Sequence, residues 1–223
     1  MKNGICAVFD LDDTLYLERE YVCSGFNAVG RWAAKWIEIP DFGERCWQKF
    51  EAGLQKQVFD EVLCDCGLQP VPSLITALVE TYRTHMPSIG LAPDAAEALK
   101  EISRTSLVAV VSDGPASSQS RKVEALELQR IATPIVLTDL LGIEFRKPHP
   151  KAFEYVEQRR LADVYVYVAD NPLKDFTAPK KFGWASVRVR RPGGLHWAVE
   201  NTVAAPDLEL TDCSALPEAL AQL

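Results

Sequence analysis

The first residues whose types and spacing suggest chemistry are Asp10 and Asp12, which follow the apolar run Ile5–Phe9 and are separated by Leu11. In an extended chain, residues two apart point to the same side, so both carboxylates face one crevice. One such carboxylate can attack phosphorus and form a covalent aspartyl phosphate. The other can protonate the leaving alkoxide and later deprotonate the attacking water. The pair therefore indicates phosphoryl transfer, and the spacing alone leaves open which aspartate takes which role.

Further candidate residues stand where apolar runs end, or just before a helix. Those with polar side chains are Thr14, Ser112, Asp113, Lys147, Asp170 and Asp175, and Gly114 offers its backbone N–H. A lone acid after a strand is usually a turn residue or a helix cap, so no single member of this set is informative. The whole set, with acids, a hydroxyl and a lysine in a fixed order along the chain, predicts that these groups converge on one crevice.

A cation is expected in this crevice because closely packed carboxylates repel one another. Mg²⁺ suits the site, since it prefers one or two carboxylates, several waters and a substrate phosphate. Asp170 would supply a carboxylate from a neighbouring strand. Asp175, one turn further on, is either a second ligand or a residue that supports the ligands from outside.

The remaining polar residues of the set suit a phosphate group. The hydroxyl of Ser112 and the backbone N–H groups near Asp113 and Gly114 are expected to hold phosphoryl oxygens. Lys147 would neutralise charge on the phosphate and on Asp10. Catalysis of phosphoryl transfer consists mainly of such positioning and electrostatic stabilisation. Asp13 is predicted to be only a local cap or a supporting group.

The elements that must position these residues alternate between strands and helices. Continuous apolar runs, typical of strands buried on both faces, predict strands at Ile5–Phe9, Leu107–Val111, Ile135–Thr138, Val164–Val168 and Ala185–Val189, with a short last one at Leu208–Leu210. Helices are predicted at Pro93–Ser103, Ser117–Leu128, Pro150–Arg160, Pro172–Phe182 and Ser214–Leu220. This alternation predicts an α/β fold with a doubly wound parallel sheet, whose ligands bind at the carboxyl ends of the strands.

One stretch, from about Glu18 to about Ile89, breaks the alternation because it contains no convincing strand. Four helices are predicted there, at Glu20–Glu38, Asp41–Gln55, Val58–Cys66 and Ser73–Met86. A helical block of this size after the first strand predicts an inserted helical subdomain. We therefore expect a core domain formed by residues 1–16 and 90–223 and a helical subdomain formed by residues 17–89.

These motifs together resemble those of the haloacid dehalogenase (HAD) superfamily. Phe9-Asp10-Leu11-Asp12-Asp13-Thr14-Leu15 is similar to its D-x-D-x-T signature, Val111-Ser112-Asp113-Gly114 to its second motif, Lys147-Pro148 to its third, and the run from Asp170 to Asp175 to its fourth. The first motif is highly specific, and the others are weak individually. The resemblance covers roughly residues 1–16 and 90–190 and implies a Rossmann-like core. The helical insertion resembles the family's type 1 cap.

The resemblance also implies a role for each matching residue. Asp10 would be the nucleophile and a Mg²⁺ ligand, and Asp12 the general acid and base, with its backbone carbonyl on the metal. Thr14 would position that loop. Ser112 and Lys147 would bind phosphate, and Asp170 would be a metal ligand. The fourth motif of the family often begins with Gly-Asp, whereas this chain has Ala169-Asp170, which puts the path of the loop in doubt but not the ligand.

The resemblance to this family leaves several activities to be weighed. Its C–Cl dehalogenases lack a second acid two residues after the nucleophile, so Asp12 favours a phosphatase of small phosphomonoesters. A phosphomutase of the β-phosphoglucomutase kind would share all four motifs. A phosphonatase would need a lysine in the cap whose amino group takes part in the reaction. Lys35, Lys49 and Lys56 lie in that segment, but they are typical surface lysines. A nucleotide monophosphate phosphatase and a non-catalytic binding module are further alternatives. By analogy with members linked to carbohydrate metabolism, a sugar or polyol phosphate is favoured as substrate.

Composition limits the partners and the location. The 223 residues carry a formal net charge of −7, which argues against a nucleic-acid partner because a polyanion needs a basic face. No apolar run approaches the roughly 20 residues of a membrane helix, and the short apolar N-terminus runs directly into acids, so the cytoplasm is the expected location. The six cysteines are expected to be reduced. The basic loop Arg190–His196 is expected to be flexible and to rim the site entrance. The sequence leaves the oligomeric state open.

Overall fold

The computed structural model of the protein describes residues 4–160, 162–200 and 204–222. These residues form two compact units. The core unit contains the described residues up to Glu18 together with those from Gly90 onwards, and the helical unit is Arg19–Ile89.

The strands of the core unit are β1 (Ile5–Phe9), β2 (Leu107–Ser112), β3 (Ile135–Leu137), β4 (Val164–Ala169), β5 (Ala185–Val189) and β6 (Leu208–Leu210). Within the described residues they form one six-stranded sheet in the order β3-β2-β1-β4-β5-β6, and every neighbouring pair is parallel. Strands buried on both faces with helical connections fold in this way. The predicted α/β class with a doubly wound parallel sheet is confirmed.

Helices connect the strands and build the helical unit. They are α1 (Glu18–Trp36), α2 (Phe42–Glu51), α3 (Val58–Asp65), α4 (Pro72–Thr84), α5 (Pro93–Ile102), α6 (Ala116–Ala125), α7 (Lys151–Glu157), α8 (Thr177–Lys181) and α9 (Leu216–Ala221). Short 3₁₀ turns cover Leu128–Arg130, Thr138–Leu141 and Ile143–Phe145.

The strand order places the first aspartate at the centre of the sheet. In β1, Phe9 lies opposite Val110 of β2 on one side and Val168 of β4 on the other. The backbone N–H of Asp10 donates to the carbonyl of Val168 at 2.8 Å. The order reverses between β1 and β4, and ligands of open α/β sheets bind at such a reversal. Asp10 and Asp170, which follow β1 and β4, therefore stand at the expected crevice.

Burial of β1 holds this crevice in place. Its residues from Cys6 to Phe9 have no solvent exposure, so both faces of the strand are covered. On one face Val8 belongs to a cluster with Val111, Phe153 and Tyr167. Burying a side chain of the size of Val or Phe stabilises a fold by about 1.5–3 kcal/mol. The strand that leads to Asp10 is therefore packed on both faces, which fixes the position of this residue at the end of the strand.

The prediction of a helix over Pro172–Phe182 is wrong in its first half, because α8 begins only at Thr177. The side chain of Asn171 accepts a hydrogen bond from the N–H of Leu173 at 3.0 Å, and the side chain of Asp175 accepts one from the N–H of Asn171 at 2.9 Å. Such local side-chain bonds compete with helix formation. The segment after β4 therefore forms a turn that keeps Asp175 close to the end of the strand.

The helical unit has its own aromatic core. Phe26, Phe42, Phe59 and Tyr82 pack together, with the rings of Phe26 and Phe59 edge to face at a centroid distance of 6.1 Å. None of the helices in the described residues is long and apolar enough to cross a membrane.

Candidate active site

Lys147 is the centre of a buried charge cluster at the carboxyl end of β1. Its ammonium nitrogen lies 2.7 Å from Asp10 Oδ1, 2.7 Å from Asp175 Oδ1 and 2.9 Å from the Tyr167 hydroxyl. The lysine and Asp175 side chains are fully buried, and that of Asp10 is 6% exposed. The structure thus brings together three residues that the sequence analysis singled out from three separate segments.

Electrostatics make Asp10 a group with unusual properties. Burial raises the pKa of Asp10 to about 7 against the opposing effect of the Lys147 ammonium, and the charges of Asp175 and Asp170 push it in the same upward direction. Burial acts to lower the pKa of Lys147, but Asp10 and Asp175 outweigh it and hold that pKa well above the usual range. The lysine therefore keeps its proton, and a carboxylate beside it is the strongest candidate for a nucleophile.

A set of hard oxygen donors adjoins this cluster. Carboxylate oxygens of Asp10, Asp170 and Asp175 lie within 4.8 Å of one another, and all three residues are buried. Burial raises the pKa of Asp170 to about 6, and the charge of Asp175 adds to that rise. Carboxylate oxygens are the ligands that Mg²⁺ prefers. The donor set therefore fits a hard divalent cation, which would relieve the repulsion among these acids.

Two buried hydroxyls at the site are available to an oxygen-rich ligand. Among the described residues, the side-chain oxygens of Thr14 and Ser112 have no hydrogen-bond partner although neither is accessible to solvent. Leaving a buried hydroxyl unpaired costs about 1–3 kcal/mol. Both residues were predicted from the sequence to serve the phosphate site. An oxygen-rich ligand in the crevice would satisfy them.

Asp12 is held by a different set of groups from Asp10. The ammonium of Lys122 lies 2.6 Å from its Oδ1 and 2.8 Å from its Oδ2. Gln119 donates to Oδ2 at 3.0 Å, and the Tyr16 hydroxyl donates to Oδ1. Burial alone would raise the pKa of Asp12, but the charge of Lys122 and these hydrogen bonds lower it. The two candidate acids, two residues apart, therefore have separate lysines.

Asp113 connects several parts of the site. Its carboxylate accepts hydrogen bonds from the Thr138 hydroxyl at 2.7 Å, the Lys147 backbone N–H at 3.1 Å and the Lys174 ammonium at 3.1 Å. Burial acts to raise the pKa of Asp113, but Lys147 and Lys174 lower it below its usual range. The side chain thus ties the ends of β2 and β3 to the loop that carries Lys147. Gly114, the next residue, has a φ of +132°, a conformation that favours glycine.

Asp13 serves as a local cap, as predicted. Its carboxylate accepts the N–H of Glu18 at 2.8 Å, at the first turn of α1, and the N–H of Leu195 at 2.7 Å. Burial raises the pKa of the neighbouring Glu18 to about 8, and the charge of Asp12 adds to that rise. Glu18 was named in the sequence only as a member of the region that chooses the substrate. The structure adds it as a partly buried acid beside Asp12.

With this geometry established, comparison with known proteins is informative. The family model described as haloacid dehalogenase-like hydrolase matches residues 7–189. The chain belongs to the haloacid dehalogenase-like hydrolase family. It is 28% identical over 201 residues to a glyceraldehyde 3-phosphate phosphatase of Methanocaldococcus jannaschii, and the match covers 85% of each chain.

Solved structures of this family share the fold. The structure of the HAD-hydrolase YfnB of Bacillus subtilis bound to magnesium superposes on this chain with a TM-score of 0.68 at 17% sequence identity. The superposition covers 98% of this chain and 99% of the YfnB chain. The L-2-haloacid dehalogenase of Xanthobacter autotrophicus superposes with a TM-score of 0.67 at 21% identity, with both chains fully covered. At these identities the likeness establishes the HAD fold alone.

The HAD core of this chain contains a fixed loop where the sequence analysis predicted a flexible basic one. Arg191 is 8% exposed and donates to both carboxylate oxygens of Asp94 at 2.7 Å and to the Thr14 carbonyl at 3.0 Å. The prediction that the loop Arg190–His196 is flexible is therefore wrong for Arg191. The guanidinium turns inwards because Asp94, at the start of α5, and the Thr14 carbonyl both accept hydrogen bonds from it.

Two residues contact Asp170 in ways that the sequence analysis did not predict: Arg188, which it did not single out, and His196, which it named only as the end of the loop Arg190–His196. The His196 ring lies 3.0 Å from Asp170 Oδ2 through Nδ1, and that contact raises the pKa of His196. Arg188 is fully buried inside β5 and donates to the Asp170 carbonyl at 3.0 Å and to the His196 carbonyl at 2.9 Å. A charged residue within an apolar strand was the signal for Arg188. Nothing in the local sequence indicated the contact of His196.

Proposed function

We propose that this HAD-family protein is a phosphatase that hydrolyses a small phosphomonoester, with a sugar or polyol phosphate favoured. The observation that carries the proposal is that two carboxylates pair with different lysines: Asp10 with Lys147, and Asp12 with Lys122. Phosphoryl transfer needs an ionised nucleophile and a second acid with another task, and such different surroundings allow two acids to divide these roles. The unpaired buried hydroxyls of Thr14 and Ser112 support a phosphate ligand.

In the proposed reaction a carboxylate oxygen of Asp10 attacks phosphorus as the bond from phosphorus to the alkoxide oxygen breaks. A phosphate anion bound beside Asp12 would raise its pKa, which Lys122 lowers in the structure, and protonated Asp12 gives its proton to the departing oxygen. Water then attacks the phosphorus of the aspartyl phosphate, Asp12 takes a proton from the water, and the bond to Asp10 breaks. Phosphate leaves, Asp10 is again a carboxylate, and Asp12 is again protonated, so the cycle balances.

The surrounding residues would bind and orient the phosphoryl group. Lys147 would favour the ionised form of Asp10 against the effect of burial and offset the charge of the phosphate, and Ser112 with the backbone near Asp113 and Gly114 would bind its oxygens. Asp10, Asp170 and the backbone carbonyl of Asp12 would hold Mg²⁺, with Asp175 as a further donor. When bound, Mg²⁺ supplies positive charge that lowers the barrier to transfer between anions.

The substrate class rests on two points. The curated relative at 28% identity is named for a three-carbon sugar phosphate. The helical insertion is proposed to act as a cap, and a cap that closes over the site favours a small metabolite over a phosphoprotein. The cytoplasmic location remains a prediction, which cell fractionation would test.

The test is hydrolysis by the purified protein, with Mg²⁺ or with EDTA, of sugar, polyol and nucleotide monophosphates, an aryl phosphate and a short 2-chloro acid. The proposal expects Mg²⁺-dependent phosphate release with sugar or polyol phosphates preferred, no chloride release, and loss of turnover in Asp10→Asn with the fold intact.

Other outcomes have distinct meanings. Chloride release without phosphate release would establish a dehalogenase. Isomerisation of a sugar phosphate in the presence of its bisphosphate would establish a mutase. If a folded protein that binds Mg²⁺ carries out neither reaction, the result would contradict the proposed function and favour a non-catalytic binding module.

A further inference from the structure

The buried face of α6 is polar, which is unusual for a helix packed against a sheet. Ser118, Gln119 and Lys122 are at most 4% exposed, and Gln119 and Lys122 are three residues apart, so they share one face. Burying an ammonium group carries a large desolvation penalty even when the group is paired, and an apolar residue of similar size often stabilises a fold more. Stability alone therefore does not explain a lysine at this position.

The contacts of this face converge on Asp12. Each carboxylate oxygen of Asp12 receives two donors: Lys122 and Tyr16 reach Oδ1, while Lys122 and Gln119 reach Oδ2. Four donor contacts leave the carboxylate one orientation. The side chain of Asp12 is 17% exposed, so part of the carboxylate faces solvent while these donors hold the rest of it.

Gln119 is itself fixed by the loop that follows β2. Its amide nitrogen donates to the Asp113 carbonyl as well as to Asp12. A Cβ placed at Gly114 would lie 2.5 Å from that same nitrogen. The glycine therefore leaves room for the glutamine, and the loop and α6 form one support for Asp12.

We propose that Lys122 and Gln119 are positioning residues that hold the Asp12 carboxylate in the orientation needed to pass a proton to the leaving-group oxygen and to take one from water. The inference rests on the proposed phosphatase function. It adds two residues that act through the side chain of Asp12, the part of that residue that is not assigned to the metal site.

The test compares Lys122→Met, Lys122→Arg and Gln119→Leu on two substrates, with Arg121→Met as the matched control. Arg121 lies on the same helix and pairs at the surface with Glu124. One substrate is a polyol phosphate, whose alkoxide needs a proton to leave. The other is a dinitrophenyl phosphate, whose phenolate leaves without one. Rapid quench measures phosphoenzyme formation, and steady-state kinetics give kcat and KM.

We expect Lys122→Met to lose about 10²-fold in kcat on the polyol phosphate, the low end of what general acid–base catalysis contributes, with little change in KM. Phosphoenzyme formation from the dinitrophenyl phosphate should stay near the wild-type rate, and the phosphoenzyme should accumulate because its hydrolysis still needs Asp12. Gln119→Leu should show the same pattern to a smaller extent, Lys122→Arg should recover part of the loss, and Arg121→Met should behave as wild type.

Equal losses of phosphoenzyme formation on both substrates, or unchanged turnover of the polyol phosphate by Lys122→Met, would overturn the inference. If Lys122→Met does not fold, Gln119→Leu decides by the same criteria. Failure of the wild-type protein to release phosphate from any ester would instead overturn the proposed function, so the two failures are distinguishable.

Discussion

Replacing Lys147 with Met should destabilise the core unit to an extent that depends on pH. The substitution keeps the volume of the side chain but leaves Asp10 and Asp175, each 2.7 Å from the lost ammonium, without their buried counter-charge. Removing one partner of a buried ion pair typically costs about 3–5 kcal/mol. At about 2–4 °C per kcal/mol for a domain of this size, the melting temperature should fall by roughly 6–20 °C.

The pH dependence has a definite sign. The pKa of Asp10 in the folded protein, about 7, already lies above its unfolded value, so ionisation of this group costs stability as the pH rises between the two values. In Lys147→Met the pKa of Asp10 in the folded protein rises further, so the variant continues to lose stability at pH values where the wild type no longer does. The difference in the free energy of unfolding between wild type and variant should therefore widen from pH 5.5 to pH 8.5. Added Mg²⁺ should narrow it.

Urea unfolding with EDTA, followed by hydrogen exchange in peptides from β1 and β4, would measure this gap in the core unit. Exposed Lys181, replaced by Met, is the control for loss of a surface lysine. A Lys147→Met midpoint equal to that of the control at pH 8.5, or a gap that stays constant with pH, would refute the reasoning about the buried cluster.

Three further predictions concern the supports of the site. Asp94→Asn should cost about 1.5–3 kcal/mol, the value of hydrogen bonds to a charged group, because Arg191 loses its bidentate partner. Burial acts to raise the pKa of Asp94, but the Arg191 hydrogen bonds outweigh it and lower this pKa in the folded protein. The free energy that the pair contributes to folding is therefore present at neutral pH and is lost below about pH 4. Urea unfolding midpoints of wild type and variant across that pH range would check this. Gly114→Ala should destabilise the protein by about 1 kcal/mol or more, because the φ of Gly114 is +132°. The added methyl group should also displace Gln119 and slow turnover, so equal kcat values for variant and wild type would contradict this prediction. Asp12→Asn should form phosphoenzyme from a dinitrophenyl phosphate but hydrolyse it slowly, and mass spectrometry of the quenched protein should detect the adduct.

The strands could be predicted from the sequence because burial on both faces leaves a clear signal. The predicted bounds of β1 and β5 agree with the structure, and those of β2 and β4 differ by one residue. The start of α8 could not be predicted in the same way. It depends on whether the side chains of Asn171 and Asp175 bind backbone N–H groups, and the polar pattern of that segment is equally compatible with a helix.

The site itself was predictable only in part. Residues that directly follow strands share one edge of the sheet whatever the details of packing, which is why Asp10 and Asp170 could be grouped in advance. Lys147 stands before α7 and not at the end of a strand, so only its place in the ordered set of motifs linked it to them. The partners of Asp12 come from the side of a helix, and their contact depends on how α6 is rotated about its axis. The segment Ala116–Ala125 has no continuous apolar stripe, and that lack was the one available sign that its buried face is polar.

The two lysines explain how carboxylates only two residues apart can take different roles. If Asp10 and Asp12 shared one counter-charge, each would raise the pKa of the other and the protons would belong to the pair. Here Lys147 reaches Asp10 from the loop after β3, and Lys122 reaches Asp12 from α6. Burial raises the pKa of both acids: at Asp10 it outweighs the charge of Lys147, whereas at Asp12 the charge of Lys122 and the hydrogen bonds together outweigh it, so the two shifts have opposite signs. These shifts apply to the site as it stands in the structure, where Asp10 is the acid that holds its proton to higher pH. A phosphate bound beside Asp12 would raise the pKa of that acid, and a cation bound beside Asp10 would lower the pKa of Asp10. This division of charge, rather than the acidic motif alone, supports phosphoryl transfer over a reaction that needs a single carboxylate.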